Sequence, residues 1–425
     1  MCRHCLREVL NQQPGSTASA ELRQNWRVLV ASGMGTALGA ASLPFYSFGT
    51  FVRPLESAFG WSRGQISTGF LCLSGTMAVM SPLLGFVIDH VGSRRAALLS
   101  TPAFALLLFG LSEMSSSLTI FYICSAAIAV LGVGTTAIGY SRAVNMHFVA
   151  ARGLALGISL CGSGIMAIVL PQIIASVIAD HGWQTAYRLL AVLAILPLPL
   201  AYFLLPDRVE EQVRIAKQGS VDIPFLLTRP FLTLLVSFLL ISVPITGIVV
   251  HLSPLLLDRG LPAHVVGRMV ALVGAGVLVG RLGIGYLIDR YFAPYVAAIV
   301  TLLSATGCVS LMLGNVRWGG VTAFLAGLSL GFDVDLLGYL VARYFGMSRY
   351  GLIYALLYAS YAIGAAIGPA LAGYAFDLNH SYATALSAAV AMLVLGAGGM
   401  LSLPRFGPAA ASIAPEARGQ RRVLE

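Results

Sequence analysis

The apolar positions of this chain do not alternate with polar ones. They run on for about a membrane's width, stop at short polar or Gly/Pro-containing stretches, and start again. A hydrocarbon core of about 30 Å takes roughly 20 apolar residues to cross as a helix. Continuous runs predict helices and argue against a β-barrel, whose strands alternate. The runs fall near 27–51, 65–88, 96–112, 118–141, 154–178, 187–205, 231–255, 265–288, 296–313, 318–341, 351–375 and 383–403. The expected class is an all-α membrane protein with twelve transmembrane helices, which leaves no room for a soluble domain.

The pattern also divides the chain. Residues 1–25 read as a polar tail, 26–205 as a first six-helix bundle, 206–230 as a charged linker, 231–404 as a second bundle and 405–425 as a last polar tail. The halves repeat each other, so the bundles are expected to be pseudo-symmetric. Gly85-x-x-x-Asp89 recurs as Gly285-x-x-x-Asp289, 200 positions on, and Gly153-Leu154 with Pro171 recurs as Gly351-Leu352 with Pro369, 198 positions on. A parallel repeat of this kind places a site near the bilayer midplane, between the halves. Small-residue pairs Gly35/Gly39, Gly276/Gly280 and Gly364/Gly368 predict close helix packing.

Composition agrees: 58% of the 425 residues are hydrophobic and 10% charged, against about 25% charged in soluble domains. A formal charge of +9 invites a nucleic-acid reading, which its distribution removes. Numbering loops from a cytoplasmic N-terminus, the odd loops hold only Arg53, Arg63, Arg188, Arg259, Arg268 and Arg317. Apart from Arg281 the other basic residues lie in even loops and tails, which puts both termini in the cytoplasm. Cys2-x-x-Cys5 with His4 lacks the second ligand pair of a zinc site and reads as free tail. Lys217 is the only lysine and no phosphate loop surrounds it, so an ATP-driven pump is excluded. No metal motif and no nucleophile–base pair appears; the expectation is no enzyme and no cofactor. The first 25 residues are polar, with no signal-peptide pattern.

Candidate chemistry centres on Arg281, inside an apolar run. Arg at a bilayer centre costs roughly 2.5–3.5 kcal/mol on insertion scales, which marks it as functional. Asp333 and Asp335 fall at similar depth. Two positions apart on a helix, they point to different sides; Asp335 is favoured to face the cavity and Asp333 comes next. A structural ion pair is the competing reading, although apolar replacements of such pairs are often as stable. The functional reading gives Arg281 a planar fork for a carboxylate and the acid a proton. Tyr46, Tyr140, Tyr358 and Tyr361, with Tyr354, offer hydroxyls to an anion, against a packing role for each. His251 is a candidate proton relay or gate. Arg142 reads as a cytoplasmic anchor, followed by Asn145 and His147.

At this point the residues carry a resemblance over essentially the whole chain. The two-half layout, with Gly85, Asp89, Gly92, Arg94 and Arg95 in the loop after the second run, resembles the major facilitator superfamily. In that family the loop latches the halves; the second copy keeps Gly285, Asp289 and Arg290 but has Ala293-Pro294 in place of the glycine region, and His90 replaces a usual Arg or Lys. Within the superfamily the chain is similar to the branch of monocarboxylate transporters and the oxalate:formate antiporter. The markers are Phe59-Gly60-Trp61-Ser62-Arg63, His251-Leu252-Ser253-Pro254, Asp258-Arg259-Gly260, Gly280-Arg281, Arg343-Tyr344-Phe345-Gly346 and Gly364-Ala365-Ala366-Ile367-Gly368-Pro369. The resemblance implies that Arg281 binds the substrate carboxylate; Val277 stands where the animal carriers have an aspartate. The expected protein is a secondary active transporter working by alternating access. It carries a small organic anion, a monocarboxylate or related carboxylate, by proton symport or anion exchange, as a monomer in the lipid bilayer of a plasma membrane (bacterial inner membrane). The alternative is a proton-coupled exporter of hydrophobic compounds. Such exporters carry an acid in the first helix, and 27–51 contains none.

Overall fold

The computed structural model describes residues 18–136, 139–140, 143–144, 147–148, 152–206, 228–345 and 350–406. Most of both tails, linker residues 207–227, Arg142 and Asn145 lie outside the described residues, as do the side chains of 81–90, 284–286, 289 and 334–335. The helices are α1 Ala18–Gln24, α2 Trp26–Ala37, α3 Leu43–Phe59, α4 Arg63–Val91, α5 Ser93–Ser112, α6 Leu118–Leu131, α7 Arg152–Ile195 and α8 Pro197–Leu204. They continue with α9 Arg229–Asp258, α10 Ala263–Val279, α11 Gly285–Arg290, α12 Ala293–Met312, α13 Gly319–Phe345, α14 Tyr350–Asn379 and α15 Ala383–Leu401.

The apolar runs are helical where they are described, but three are interrupted: 27–51, 265–288, and 118–141, whose helix ends at Leu131 and is followed by a 3-10 turn over Val133–Thr135. The run at 27–51 breaks between α2 and α3. Pro44 has no N–H to give and is suited to a first helical turn, while the Ala40 N–H is taken by Thr135 Oγ1 at 3.0 Å. The run at 265–288 is interrupted by a π-helical turn over Gly280–Ile284. The runs at 154–178 and 187–205 are two helices as expected; the second carries on as α8, and within α7 the two are parted by a turn at Gly182. There φ is 84°, a backbone setting open to glycine. Among the described residues six helices are individually long and apolar enough to cross a membrane.

Apolar side chains sort by half. One core draws its buried members from Phe231 to Leu403; the other two draw theirs from Val28 to Leu205, with Val250 the single visitor. The halves meet where α4 packs on α14, α7 on α10 and α3 on α9. Each contact is backbone against backbone at a glycine. A Cβ at Gly49 would collide with the Val250 carbonyl, one at Gly274 would reach the Ile168 N at 2.5 Å, and one at Gly373 the Arg63 carbonyl at 2.7 Å. Without a hydrophobic drive between helices in lipid, such close approach is what dispersion and backbone dipoles require.

Candidate functional site

The packing of α10 on α13 positions Arg281. Gly276 and Gly280 of α10 and its π turn face the α13 backbone at Phe324 and Leu328; Gly327 and Gly331 of α13 face the carbonyls of Val273 and Val277. Four reciprocal glycines bring the helices into contact where Arg281 emerges. The π turn adds a residue to the local pitch and so re-aims the side chain. Arg281 is partly buried, and its Nε and Nη1 have no hydrogen-bond partner among the described residues. Asp333 is 1% exposed, with Oδ2 also unpartnered. The Asp335 side chain, favoured on sequence, lies outside the described residues.

Tyr361 is the group that lies near both charges. Tyr361 lies within electrostatic reach of Asp333, Tyr358, Tyr46 and Arg281, and Tyr46 of Arg281 as well. Tyr354 and Tyr358 stack with ring centroids 6.0 Å apart, and Tyr361 follows at 6.1 Å. Tyr354, Tyr358 and Tyr361 line a 580 Å³ cavity between the halves, together with Phe45, Phe70 and Tyr140. That size falls in the range of small-molecule sites. Arg281, Asp333 and Tyr46 are not among the residues that line this cavity. Tyr140 presents its ring; its hydroxyl is buried against Gly35 without a partner. The cavity is lined by Leu156 near the start of α7, Tyr354 near the start of α14, and Thr36 at the end of α2.

The opposite end is shut by a network that crosses the halves. Arg63, 3% exposed, pairs both Asp258 oxygens, with Nη2 donating to Oδ1 at 2.9 Å and Nη1 to Oδ2. It also pairs with Glu56 at 3.2 Å and lies 3.9 Å from the Phe376 ring centroid. Asp377 at the end of α14 accepts the Arg63 and Gly64 N–H groups, at 3.0 and 2.8 Å, and so caps α4. Arg63 Nη1 donates to Tyr382 Oη at 3.0 Å, and Tyr382 Oη lies 2.9 Å from His251 Nδ1. His251 Nε2 sits 2.8 Å from the Pro369 carbonyl and 3.0 Å from Ser67 Oγ. A carbonyl only accepts, so Nε2 carries the proton and Nδ1 accepts from Tyr382. His251 is thus the inner end of this network, and it is 2% exposed.

The latch residues are less informative. Gly92, with φ 88°, starts α5 in a backbone setting glycine favours. Arg94 donates to the Tyr202 carbonyl at 2.8 Å and stacks on that ring, a contact inside the first half. Arg95 and Arg290 are exposed; the side chains of Asp89 and Asp289, with Gly85 and Gly285, lie outside those described. His147 bonds the Ala143 carbonyl through Nδ1 at 2.8 Å. Sequence reasoning treated Arg63 as a loop charge and passed over Tyr382, Asp377 and Ser67. The signal was present: Arg63 and Asp258 both stand in branch-marking motifs, on opposite halves.

The family model for the Major Facilitator Superfamily matches residues 28–332 and 258–425. Monocarboxylate transporter 13 of Rattus norvegicus is 24% identical over 389 residues, covering 90% of this chain and 89% of the relative. An uncharacterised MFS-type transporter, YcxA of Bacillus subtilis, is 26% identical, covering 90% and 96%. Among solved structures, a bacterial homologue of the human lysosomal transporter Spinster, in an inward-facing and unoccupied conformation, superposes with a TM-score of 0.65. It shares 15% identity over 88% of this chain and 95% of that one.

Proposed function

The chain belongs to the Major Facilitator Superfamily, a family of membrane transporters with twelve helices in two bundles, and on that premise we propose that it is a secondary active carrier of a small organic anion. The observation that carries this reading is the pair of unpartnered buried nitrogens on Arg281 and the unpartnered Asp333 oxygen, each group within electrostatic reach of Tyr361. Nitrogen donors held out of water without partners form a receptor for a carboxylate, and the planar fork sets its orientation. Relatives named monocarboxylate transporters support that substrate class.

In this reading Asp333 carries the coupling proton and Asp335 is its reserve. A carboxylate arriving at Arg281 competes with the acid for one cation, so protonating the acid favours loading. Proton symport and anion exchange are both compatible with that competition. With the termini in the cytoplasm of a plasma membrane, as the Arg distribution indicates, the cavity faces inward and the Arg63 network closes the outer end. The linker 206–230 joins the rocking bundles 26–205 and 231–404, the tails 1–25 and 405–425 are cytoplasmic, and Gly85, Asp89, Arg95, Gly285, Asp289 and Arg290 engage when the inner end closes. The carrier works as a monomer.

The competing export reading draws on one observation, the apolar wall that Phe70, Leu73 and Met77 add to the cavity. Purified protein in proteoliposomes, given radiolabelled lactate, benzoate or succinate under an imposed pH gradient, separates the two. Carboxylate accumulation driven by the gradient supports the anion carrier. Transport of lipophilic cations with no carboxylate flux would support the exporter instead.

A further inference from the structure

A second cavity lies at the Arg63 end, between α3, α7, α9 and α10. It measures 370 Å³ and is lined by Arg53, Thr50, Ser57 and Ser253 on a wall otherwise apolar, with Val266 and Val270. A 10 Å³ void continues inward from it, sharing Thr50, Ser253 and Val270 and ending at Phe45 and Tyr46. Tyr46 is the residue within electrostatic reach of Arg281. Arg53 and Tyr46 are seven positions apart on α3, two helical turns, or about 10 Å. Arg53 therefore stands at the outer end of a file of voids that narrows to its inner end at Tyr46, from which Arg281 is next in reach.

Arg53 is weakly held. Its Nε lies 3.4 Å from Asp258 Oδ1, an oxygen already taken by Arg63 Nη2 at 2.9 Å, and its side chain remains 43% exposed. Ser253 is 4% exposed, lines both voids and has no hydrogen-bond partner among the described residues. We propose that this vestibule is a second anion subsite, where a carboxylate docks on Arg53, with the Ser253 hydroxyl as donor and Ser57 on the wall beside it, before it moves inward to Arg281. The subsite rests on the anionic-substrate reading above. The exchange leaves no charge stranded, since Asp258 keeps both Arg63 bonds when Arg53 turns to the newcomer. An apolar wall beside the cation fits a carboxylate with a short hydrocarbon body.

The test reads the vestibule without transport. In protein whose native cysteines are replaced by serine, Ser57→Cys is labelled from the Arg63 end with a membrane-impermeant thiol reagent. This is done in the Arg281→Lys background, where the inner site is disabled. Benzoate or lactate is expected to slow labelling, and Arg53→Gln to remove the protection while Arg53→Lys keeps most of it. With Arg281 intact, Arg53→Gln should lower the ratio of maximal rate to half-saturating concentration about ten-fold, the worth of one charge-assisted hydrogen-bond pair. Absence of protection in the Arg281→Lys protein, or protection that Arg53→Gln leaves unchanged, overturns the subsite and leaves the Arg281 reading standing. No carboxylate uptake by the unaltered protein overturns both.

Discussion

Arg63 and Asp258, 195 positions apart and on opposite halves, share a bond of 2.9 Å with a second beside it. Removing one member of a buried pair costs about 3–5 kcal/mol because its partner is left uncompensated; Asp258 is 25% exposed, which places this pair toward the lower figure. Arg63→Ala is expected to open this end of the molecule. Ser67, 0% exposed behind the pair, gives the readout. A Ser67→Cys thiol should react with an impermeant reagent at least about ten-fold faster in the Arg63→Ala background. An unchanged rate would mean that other contacts hold the end shut.

His251 has both ring nitrogens engaged, one by Tyr382 and the other by Pro369 and Ser67. It should act on the gate rather than on the proton. His251→Gln and Tyr382→Phe are each expected to slow carboxylate transport several-fold and leave the shape of its pH dependence intact. Asp333→Asn is expected to flatten that dependence. A flattened profile in His251→Gln with a normal one in Asp333→Asn would reverse the two roles.

Gly276 and Gly331 face backbone carbonyls across the α10–α13 contact. Gly331→Val should push the helices apart, lower the melting temperature by several degrees and abolish transport; overpacking typically costs about 1–3 kcal/mol. Gly33 is the control, since nothing lies within 4 Å of a Cβ there. Gly33→Ala should be neutral or slightly stabilising. Thermal melts of the purified variants in detergent compare the two directly.

Outside the membrane, Glu113 accepts from Arg188 at 2.7 Å in the connection after α5. Bonding to Arg188, with help from Ser112, holds its carboxyl below the ordinary value. A lowered folded value means the pair stabilises above the unfolded value of about 4.3 and loses that effect as pH falls through the folded one. The pair is fully exposed and screened. Glu113→Gln should therefore lower the melting temperature slightly at pH 7 and not at all near pH 3, which a pair of melts would show.

Much of this was legible in the sequence because membrane insertion is a crude physical filter. Long apolar runs had to become helices, the repeated Gly-x-x-x-Asp had to mean two halves, and Arg281 stood out because lipid penalises it. The breaks were hidden because what meets them lies far along the chain. The interruption at Ala40 depends on the Thr135 hydroxyl, 95 positions away, and the π turn at Gly280 on contact with Leu328 and Gly331. The Arg63 network escaped notice because Arg63 lies at a helix start, where a charge looks solvated. Its burial comes from Phe376, Tyr382 and Asp258 of the other half, and periodicity along one helix carries no word of that.

The account turns on whether Arg281 holds the anion. The direct measurement is uptake of radiolabelled lactate, benzoate and succinate by proteoliposomes containing Arg281→Lys beside the unaltered protein, at matched reconstitution and melting temperature. The account predicts robust uptake of at least one carboxylate by the unaltered protein and a loss of at least about a hundred-fold in the variant, since a compact ammonium cannot replace the two-pronged guanidinium. Uptake by Arg281→Lys at the unaltered half-saturating concentration would contradict it.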